Sequence, residues 1–290
     1  MQLKGTGVAL VTPFKANKEI DFQSLGKVID HCISGGINYL VSLGTTGESA
    51  TLDAVEMQEV LDFTKSHVNG RVQLIAGFGG NNTELIVSNL KSFNLTGYSA
   101  ILSSSPNYSK PTQEGLYQHY KALAAASPLP IILYNVPSRT GQNLSAATTI
   151  RLAYDFNNII AIKEASNDLL QCMEIRKAAP KDFQVVSGDD AHALPMFSFG
   201  CIGVISVIAQ GIPDRFTKMV NCALAGNFKE ASEEQFKFLP LIQLIFKENN
   251  PAGIKSLLNN LNLCDNYLRL PLIPASKELQ KEIESFMTKN

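Results

Sequence analysis

The chain has 290 residues, 45% of them hydrophobic and 18% charged, and its formal net charge is −1. This composition indicates a large buried core and little disorder. A chain this close to neutral has no excess of positive charge with which to bind nucleic acid or an anionic membrane, so neither is an expected partner. No apolar run approaches the roughly 18 residues that a membrane span needs, and the first residues lack the three-part pattern of a signal peptide.

Five cysteines lie far apart in the sequence, with no C-x-x-C pair among them. An odd, scattered set of this kind predicts reduced thiols that pack as small hydrophobic side chains. We therefore expect a cytoplasmic protein.

Apolar and β-branched residues recur in eight short runs, and stretches with helical periodicity lie between them. In the first such stretch Leu25, Val28, Ile29, Cys32 and Ile33 fall on one helix face. Eight strand-then-helix units in succession favour an α/β fold of the (β/α)8 TIM barrel type over an open doubly wound sheet. The predicted strands are 7–11, 39–43, 72–77, 98–103, 130–134, 159–163, 183–187 and 202–207.

Helix starts are marked by residues that cap helices well. Thr83, Thr112, Ser145 and Asp168 are the predicted N-caps of four of the helices between strands. After the eighth strand, three more helical segments are predicted at 228–247, 252–262 and 276–288. No linker separates them from the barrel. We therefore expect one structural unit, with a barrel over 1–227 that carries the active site and a C-terminal helical extension over 228–290 packed on it.

The sixth predicted strand ends in a lysine. Ile159, Ile160, Ala161 and Ile162 form an apolar run, and Lys163 follows it. Desolvation at the mouth of an apolar interior disfavours the ammonium and leaves an amine that can attack a carbonyl carbon. The alternative is a strand-end lysine whose ammonium simply reaches solvent.

Polar residues follow several other strands, at the end where barrel enzymes carry their chemistry. Thr45 and Thr46 lie in a glycine-flanked turn after the second strand, which can bind an anion such as a carboxylate. The alternative is a tight turn whose threonines only cap the next helix. Tyr108 follows strand four. Strand five ends in Tyr134, and Arg139 follows it. A tyrosine there can relay protons, and an arginine can bind a carboxylate through two hydrogen bonds.

Two common kinds of catalytic site find no support. The four histidines share no metal-ligand spacing, and no nucleophile elbow for Ser/His/Asp hydrolysis is present. A lysine in an apolar barrel, an anion-binding turn, two tyrosines and an arginine suit Schiff-base chemistry on an α-keto acid. In that chemistry the imine is the electron sink, so no metal or other cofactor is expected.

These residues carry a resemblance to a known family. The chain resembles the dihydrodipicolinate synthase branch of the pyruvate-dependent class I aldolases, a family that also contains the N-acetylneuraminate lyases. The double threonine in Gly44-Thr45-Thr46-Gly47-Glu48 and the arginine in Pro137-Ser138-Arg139-Thr140-Gly141 are similar to the synthase branch. The likeness covers essentially the whole chain, through matches at 12–14, 44–52, 117–120, 134–141, 162–165, 187–190, 203–207 and 268–271.

The resemblance implies a catalytic role for four residues. Lys163 matches the lysine that condenses with pyruvate, and Tyr134 matches the tyrosine that shuttles protons during imine formation and aldol addition. Thr45 matches a member of the proton relay. Tyr108 matches a tyrosine that reaches into the active site of the neighbouring subunit, which implies a homo-oligomer, expected to be a homotetramer built as a dimer of dimers.

It also implies four substrate-binding residues. Thr46, with Thr45, matches the pair that holds the carboxylate of pyruvate. Arg139 matches the arginine that receives the carboxylate of aspartate semialdehyde. Gly188 and Ile205 match positions whose backbone lies against the bound keto acid.

The implied enzyme is a lyase that joins pyruvate to aspartate 4-semialdehyde and releases 4-hydroxy-tetrahydrodipicolinate, on the route to diaminopimelate and lysine. Two alternatives stay open: a sister aldolase acting on another aldehyde, and a non-catalytic barrel that binds a keto acid. The presence of the lysine, both threonines, both tyrosines and the arginine favours the enzyme. We further expect weak or absent inhibition by lysine, because the segments that match the inhibitor site of lysine-regulated relatives have lost several polar residues.

Overall fold

A computed structural model describes residues 1–289 of the chain. Its eight strands are all parallel to their neighbours and follow one another in sequence order around a closed barrel. This confirms the predicted (β/α)8 TIM barrel. Each predicted run overlaps its strand, with boundaries that differ by no more than two residues. The strands are β1 Gly5–Ala9, β2 Tyr39–Ser42, β3 Gln73–Gly77, β4 Ala100–Ser104, β5 Ile131–Asn135, β6 Ile159–Glu164, β7 Gln184–Ser187 and β8 Gly203–Ser206.

Helices follow every strand, and four of them lie beyond the last one. In chain order they are α1 Phe22–Ser34, α2 Ala54–Val68, α3 Thr83–Ser92, α4 Gln113–Ala126, α5 Pro137–Thr140, α6 Ala146–Asp155, α7 Leu169–Ala178, α8 Ala193–Phe197, α9 Pro213–Leu224, α10 Phe228–Phe246, α11 Ala252–Asn260 and α12 Lys277–Lys289. The last three confirm the helical segments predicted at the C-terminal end. No helix within residues 1–289 has both the length and the apolar character needed to cross a membrane.

The predicted caps are confirmed for three of the four helices. The side chains of Thr112, Ser145 and Asp168 accept hydrogen bonds from the first turns of α4, α6 and α7. The fourth prediction, Thr83, is wrong by one residue. Asn82 caps α3 by accepting from the Leu85 N–H, and Thr83 is already helical. Asparagine and threonine both cap well, so a neighbouring pair of them does not identify the boundary residue.

Contacts divide the chain into two compact units. The first comprises residues 1–4 and 74–205, and so contains nearly all of strands β3 to β8. The second comprises residues 5–73 and the chain from 206 onward, and so contains β1, β2 and helices α9 to α12. The predicted division at residue 227 stays a prediction.

The core of each unit follows from its sequence pattern. In the first unit β5 is buried along its whole length and β6 nearly so, because strands in a parallel sheet are covered on both faces. In the second unit α1 buries the predicted apolar face, although Ile33 stays partly exposed. There too, α9 packs against α10 through Phe216 and Phe238, whose ring centroids are 5.6 Å apart.

Candidate active site

The first unit carries the predicted lysine. Lys163 lies in β6 and its residue is only 4% exposed. In the register of the sheet Tyr134 of β5 lies opposite Lys163, so the two side chains point to the same face. The Lys163 Nζ lies 4.4 Å from the centroid of the Tyr134 ring. The predicted alternative, a lysine whose ammonium reaches solvent, is wrong.

Burial lowers the pKa of Lys163 from its ordinary 10.5 to about 8. The negative charges of Asp190 and Asp189 oppose this shift, and the positive charge of Arg139 adds to it. Desolvation dominates because the ammonium loses water that no close carboxylate fully replaces. At pH 7.5 roughly a quarter of the lysine is then the neutral amine, against about one part in a thousand for an unperturbed side chain. The lysine is therefore available as a nucleophile near neutral pH.

Gly188 lies directly against this lysine. A Cβ on Gly188 would be 3.0 Å from the Lys163 Cε and 2.7 Å from the Ala165 Cβ. The Gly188 N–H donates to the carbonyl oxygen of Glu164 at 2.7 Å. Any larger residue would displace the lysine stem, so glycine is required here by close approach. Ile205, the other predicted backbone position, is fully buried in β8.

Arg139 lies in the short helix α5 after strand β5, and its side chain is exposed. Its guanidinium acts electrostatically on Lys163 within the same unit. Its exposed guanidinium is thus accessible to an anion from solution.

Two acidic residues of this site were given no role from the sequence. Asp189 and Asp190 directly follow Gly188, and their charges act on the Lys163 ammonium. Asp190 is buried, whereas Asp189 accepts from the His192 ring at 3.0 Å. The available signal was the pair of consecutive acids at the end of a predicted strand, since a charge there faces the mouth of a barrel.

Tyr108 stands apart from this group. It follows β4 in a left-handed backbone conformation, with φ of 64°, and the residue is 90% exposed. A bulky residue rarely adopts that conformation without a structural or functional reason. Within this single chain the tyrosine ring lies in solvent, so its predicted role in a neighbouring subunit stays a prediction.

The second unit carries the two threonines. Thr45 and Thr46 begin a single 3-10 turn that follows β2 and ends at Gly47. The Asn250 side-chain amide donates to the Thr46 Oγ1 at 2.9 Å. Helix α2 is capped by Asp53 with Glu56, through reciprocal hydrogen bonds. The alternative that the threonines cap the next helix is therefore wrong.

The turn is held by an internal ion pair. Glu48 comes two residues after Thr46, and its backbone is in the left-handed region. Its carboxylate lies 2.5 Å from the Lys255 Nζ, and both side chains are fully buried. The Arg269 backbone N–H donates to the second oxygen of the same carboxylate at 3.1 Å. This contact was not predicted, because nothing in the sequence pairs residues 207 positions apart.

Among residues 1–289 no group of three or more His, Cys, Asp or Glu side chains is arranged to hold a metal ion. His119 is buried, and burial lowers its pKa to about 4. His67 lies 3.0 Å from Asp30.

A (β/α)8 barrel with a buried lysine of lowered pKa at a strand end is the arrangement of an aldolase-type enzyme that forms a Schiff base. The model of the Dihydrodipicolinate synthetase family matches residues 2–290. The chain belongs to that family.

Individual relatives are similar over almost the full length. The 4-hydroxy-tetrahydrodipicolinate synthase of Parabacteroides distasonis is 48% identical over 274 residues, which are 94% of this chain and 92% of that protein. The crystal structure of dihydrodipicolinate synthase from Thermotoga maritima superposes with a TM-score of 0.96 at 37% identity, covering 99% of this chain and 98% of that one. A dihydrodipicolinate synthase variant described as monomeric has a TM-score of 0.96 at 37% identity, covering 99% and 96%.

Proposed function

We propose that this enzyme condenses pyruvate with aspartate 4-semialdehyde and releases 4-hydroxy-tetrahydrodipicolinate, on the route to diaminopimelate and lysine. The observation that carries the proposal is Lys163: a buried amine with a pKa of about 8, lying beside the ring of a tyrosine at a strand end. The names of the relatives and the family membership support the same reaction.

The first step joins pyruvate to the enzyme. The neutral Lys163 Nζ attacks the C2 carbonyl carbon, and the resulting carbinolamine loses water to give an imine. That loss needs a proton delivered to the departing oxygen. We assign this delivery to the hydroxyl of Tyr134, whose ring lies against the Nζ, with the Thr45 hydroxyl as its relay.

The second step forms the carbon–carbon bond. The imine withdraws electrons, so the pyruvyl methyl group loses a proton and becomes an enamine carbon. That carbon adds to the aldehyde carbon of aspartate semialdehyde, whose oxygen takes up a proton. We propose that Arg139 binds the carboxylate of this second substrate through two parallel hydrogen bonds, because its guanidinium is exposed yet close enough to act on Lys163.

The last step frees the enzyme. The amine of the second substrate attacks the imine carbon, closes a six-membered ring and displaces the Lys163 Nζ. We propose that Thr46 and Thr45 hold the pyruvyl carboxylate throughout. The backbones at Gly188 and Ile205 lie against the keto acid in this scheme, and the absence of a Cβ at Gly188 keeps the Lys163 stem unobstructed.

We further propose that the working enzyme is a homotetramer built as a dimer of dimers, in which Tyr108 serves the site of a neighbouring subunit. Its 90% exposure in the single chain supports this. A cytoplasmic location is proposed from the five cysteines, all of which are free thiols.

The deciding experiment has two parts. Borohydride reduction in the presence of pyruvate should fix a pyruvyl adduct on the enzyme. Incubation with both substrates should then yield the cyclic product, identified by mass spectrometry. Adduct formation with pyruvate but no reaction with aspartate semialdehyde would indicate a sister aldolase that uses another aldehyde.

A further inference from the structure

A polar cluster built around a buried carboxyl lies next to the site residues of the first unit, and the mechanism above leaves it without a role. We call it the Glu164 cluster, and its members are Glu164, Asn135, Asn143 and Gln171. Glu164 is only 2% exposed and follows Lys163 in β6. Successive side chains of a strand point to opposite faces of the sheet, so Glu164 points away from the face that carries Lys163. A carboxyl in such a place is costly unless hydrogen bonds compensate for its burial.

Four hydrogen-bond contacts compensate for the burial of the Glu164 carboxyl. The Asn135 Nδ2 lies 3.0 Å from both oxygens of Glu164. The Ser166 backbone N–H donates to Oε1 at 2.8 Å, and the Gln171 Nε2 donates to Oε2 at 2.9 Å. Burial still raises the pKa of Glu164, and these same hydrogen bonds oppose the rise. Each carboxylate oxygen therefore has two donors, and both oxygens must be acceptors.

The cluster continues into the segment that carries Arg139. The Asn135 Nδ2 also donates to the Asn143 Oδ1 at 2.7 Å, and the Asn143 Nδ2 donates to the Gln171 Oε1 at 2.7 Å. The Leu144 backbone N–H donates to the Asn135 Oδ1 at 2.9 Å. Segment 136–142 is thus fastened at both ends to the polar groups around Glu164.

The cluster therefore adjoins Lys163, Tyr134 and Arg139. Tyr134 precedes Asn135 and Lys163 precedes Glu164, and these four residues form two adjacent pairs in the β5–β6 register. Arg139 lies between Asn135 and Asn143. The hydrogen bonds of the cluster thereby link β6, which carries Lys163, to segment 136–142, which carries Arg139.

We propose that the Glu164 cluster is a positioning network that sets Arg139 relative to Lys163. Recognition of the second substrate then depends on a carboxylate that does not touch any substrate. The proposal rests on the role of Arg139 under the proposed function. It differs from a purely structural role, which would lower stability and weaken both substrate steps alike.

The test replaces Glu164 by glutamine, which has the same shape. One carboxylate oxygen becomes an NH2 group, so either the Ser166 N–H or the Gln171 amide faces a second donor and loses its acceptor. Glu174→Gln is the matched control, because Glu174 is exposed on α7. Two rates are measured on each variant: borohydride trapping with pyruvate, and kcat/KM for aspartate semialdehyde.

We expect Glu164→Gln to keep pyruvate trapping within about threefold of the unmodified enzyme while kcat/KM for the aldehyde falls about 10- to 100-fold. Most of that fall should be a rise in KM. Glu174→Gln should change neither rate. Equal losses in both steps, or no loss for the aldehyde, would overturn the positioning role.

A double-mutant cycle separates this proposal from the proposed function. If the cluster acts through Arg139, adding Glu164→Gln to Arg139→Ala should lower aldehyde use by no more than about twofold further. If the double variant instead loses aldehyde use by the product of the two single losses, the proposal is overturned and the role of Arg139 still stands. Normal aldehyde use in Arg139→Ala alone would instead refute the assigned role of Arg139. If Glu164→Gln fails to fold, Asn143→Ala replaces it in the same double-mutant cycle, because Asn143 is exposed. The expected effects are then smaller.

Discussion

At the scale of single residues, the chemistry depends on how Lys163 loses its proton. Burial is the larger force on its pKa, and two aspartates moderate it. Without those acids the pKa of the lysine would be lower, so it would bind less readily the proton that must return to it at the end of the cycle. A lysine in water has so high a pKa that it would seldom be neutral. The value near 8 reflects both influences.

The nucleophile itself is the first test. Lys163→Ala removes the amine that forms the imine, so we expect no borohydride-dependent adduct with pyruvate and a loss of several orders of magnitude in turnover. Lys181→Ala is a suitable control, because Lys181 is exposed in the turn before β7. Peptide mass mapping checks the site, and an adduct on any other lysine would contradict the assignment.

The pH dependence of adduct formation should report the pKa of Lys163. The reactive form is the neutral amine, so the trapping rate at low pyruvate should rise with pH and level off above about 8. Asp190→Asn removes a charge that raises this pKa, so the rising limb should move to lower pH. A limb that stays in place, or moves to higher pH, would show that Asp190 does not act on this lysine.

Arg139→Ala should chiefly impair the second substrate. Truncating a charge-assisted bidentate contact costs on the order of 2–5 kcal/mol for the ligand that it binds. We therefore expect a large rise in KM for aspartate semialdehyde, with pyruvate trapping largely intact. A variant that loses adduct formation as severely as turnover would point to a different role for this arginine.

At the scale of elements, prediction succeeded wherever a local pattern decides the structure. Runs such as 159–163 must be buried on both faces, so their position as strands followed directly from their composition. Lys163, Tyr134 and the threonine turn could be singled out because they end or follow such runs. The Glu164 cluster and the Glu48–Lys255 pair could not. Both depend on partners distant in sequence, and a lone Glu or Asn has no periodicity that reveals a partner.

The elements also bear on regulation by lysine. In lysine-regulated relatives, as the resemblance implies, the inhibitor meets histidines, an acid and a tyrosine at a dimer interface. Here Ala54 and Met57 stand on α2 at the histidine positions, and Leu85 on α3 stands at the position of the acid, with Glu84 beside it. Asn107 replaces the tyrosine.

Losing a carboxylate partner and several polar contacts to a zwitterion should cost a few kcal/mol. We therefore expect activity to persist in the presence of millimolar lysine. A titration of the rate with lysine measures this, and strong inhibition at submillimolar concentrations would contradict it.

At the scale of the whole molecule, the proposed role of Tyr108 would make catalysis a property of the assembly. If it serves a neighbouring site, Tyr108→Phe and Lys163→Ala should each be nearly inactive, yet their mixed oligomers should regain activity. If the two variants are expressed equally and pair at random, about half of the dimers are mixed. Each mixed dimer has one complete site out of two, so we expect about a quarter of the normal activity. Sedimentation and rate measurements on the co-expressed protein provide the check. No recovery, or a fully active monomer, would exclude a shared site.

The buried ion pair between Glu48 and Lys255 has a consequence for how the protein is made. Ribosomes add about 5–20 residues per second, so Glu48 emerges roughly 10–40 s before the lysine that neutralises it, 207 residues later. Until then the threonine turn has neither its counter-charge nor the Asn250 hydrogen bond. A nascent chain stalled before residue 250 should therefore leave this turn open to proteolysis, and the turn should become resistant once the chain has passed residue 269, whose backbone also binds Glu48.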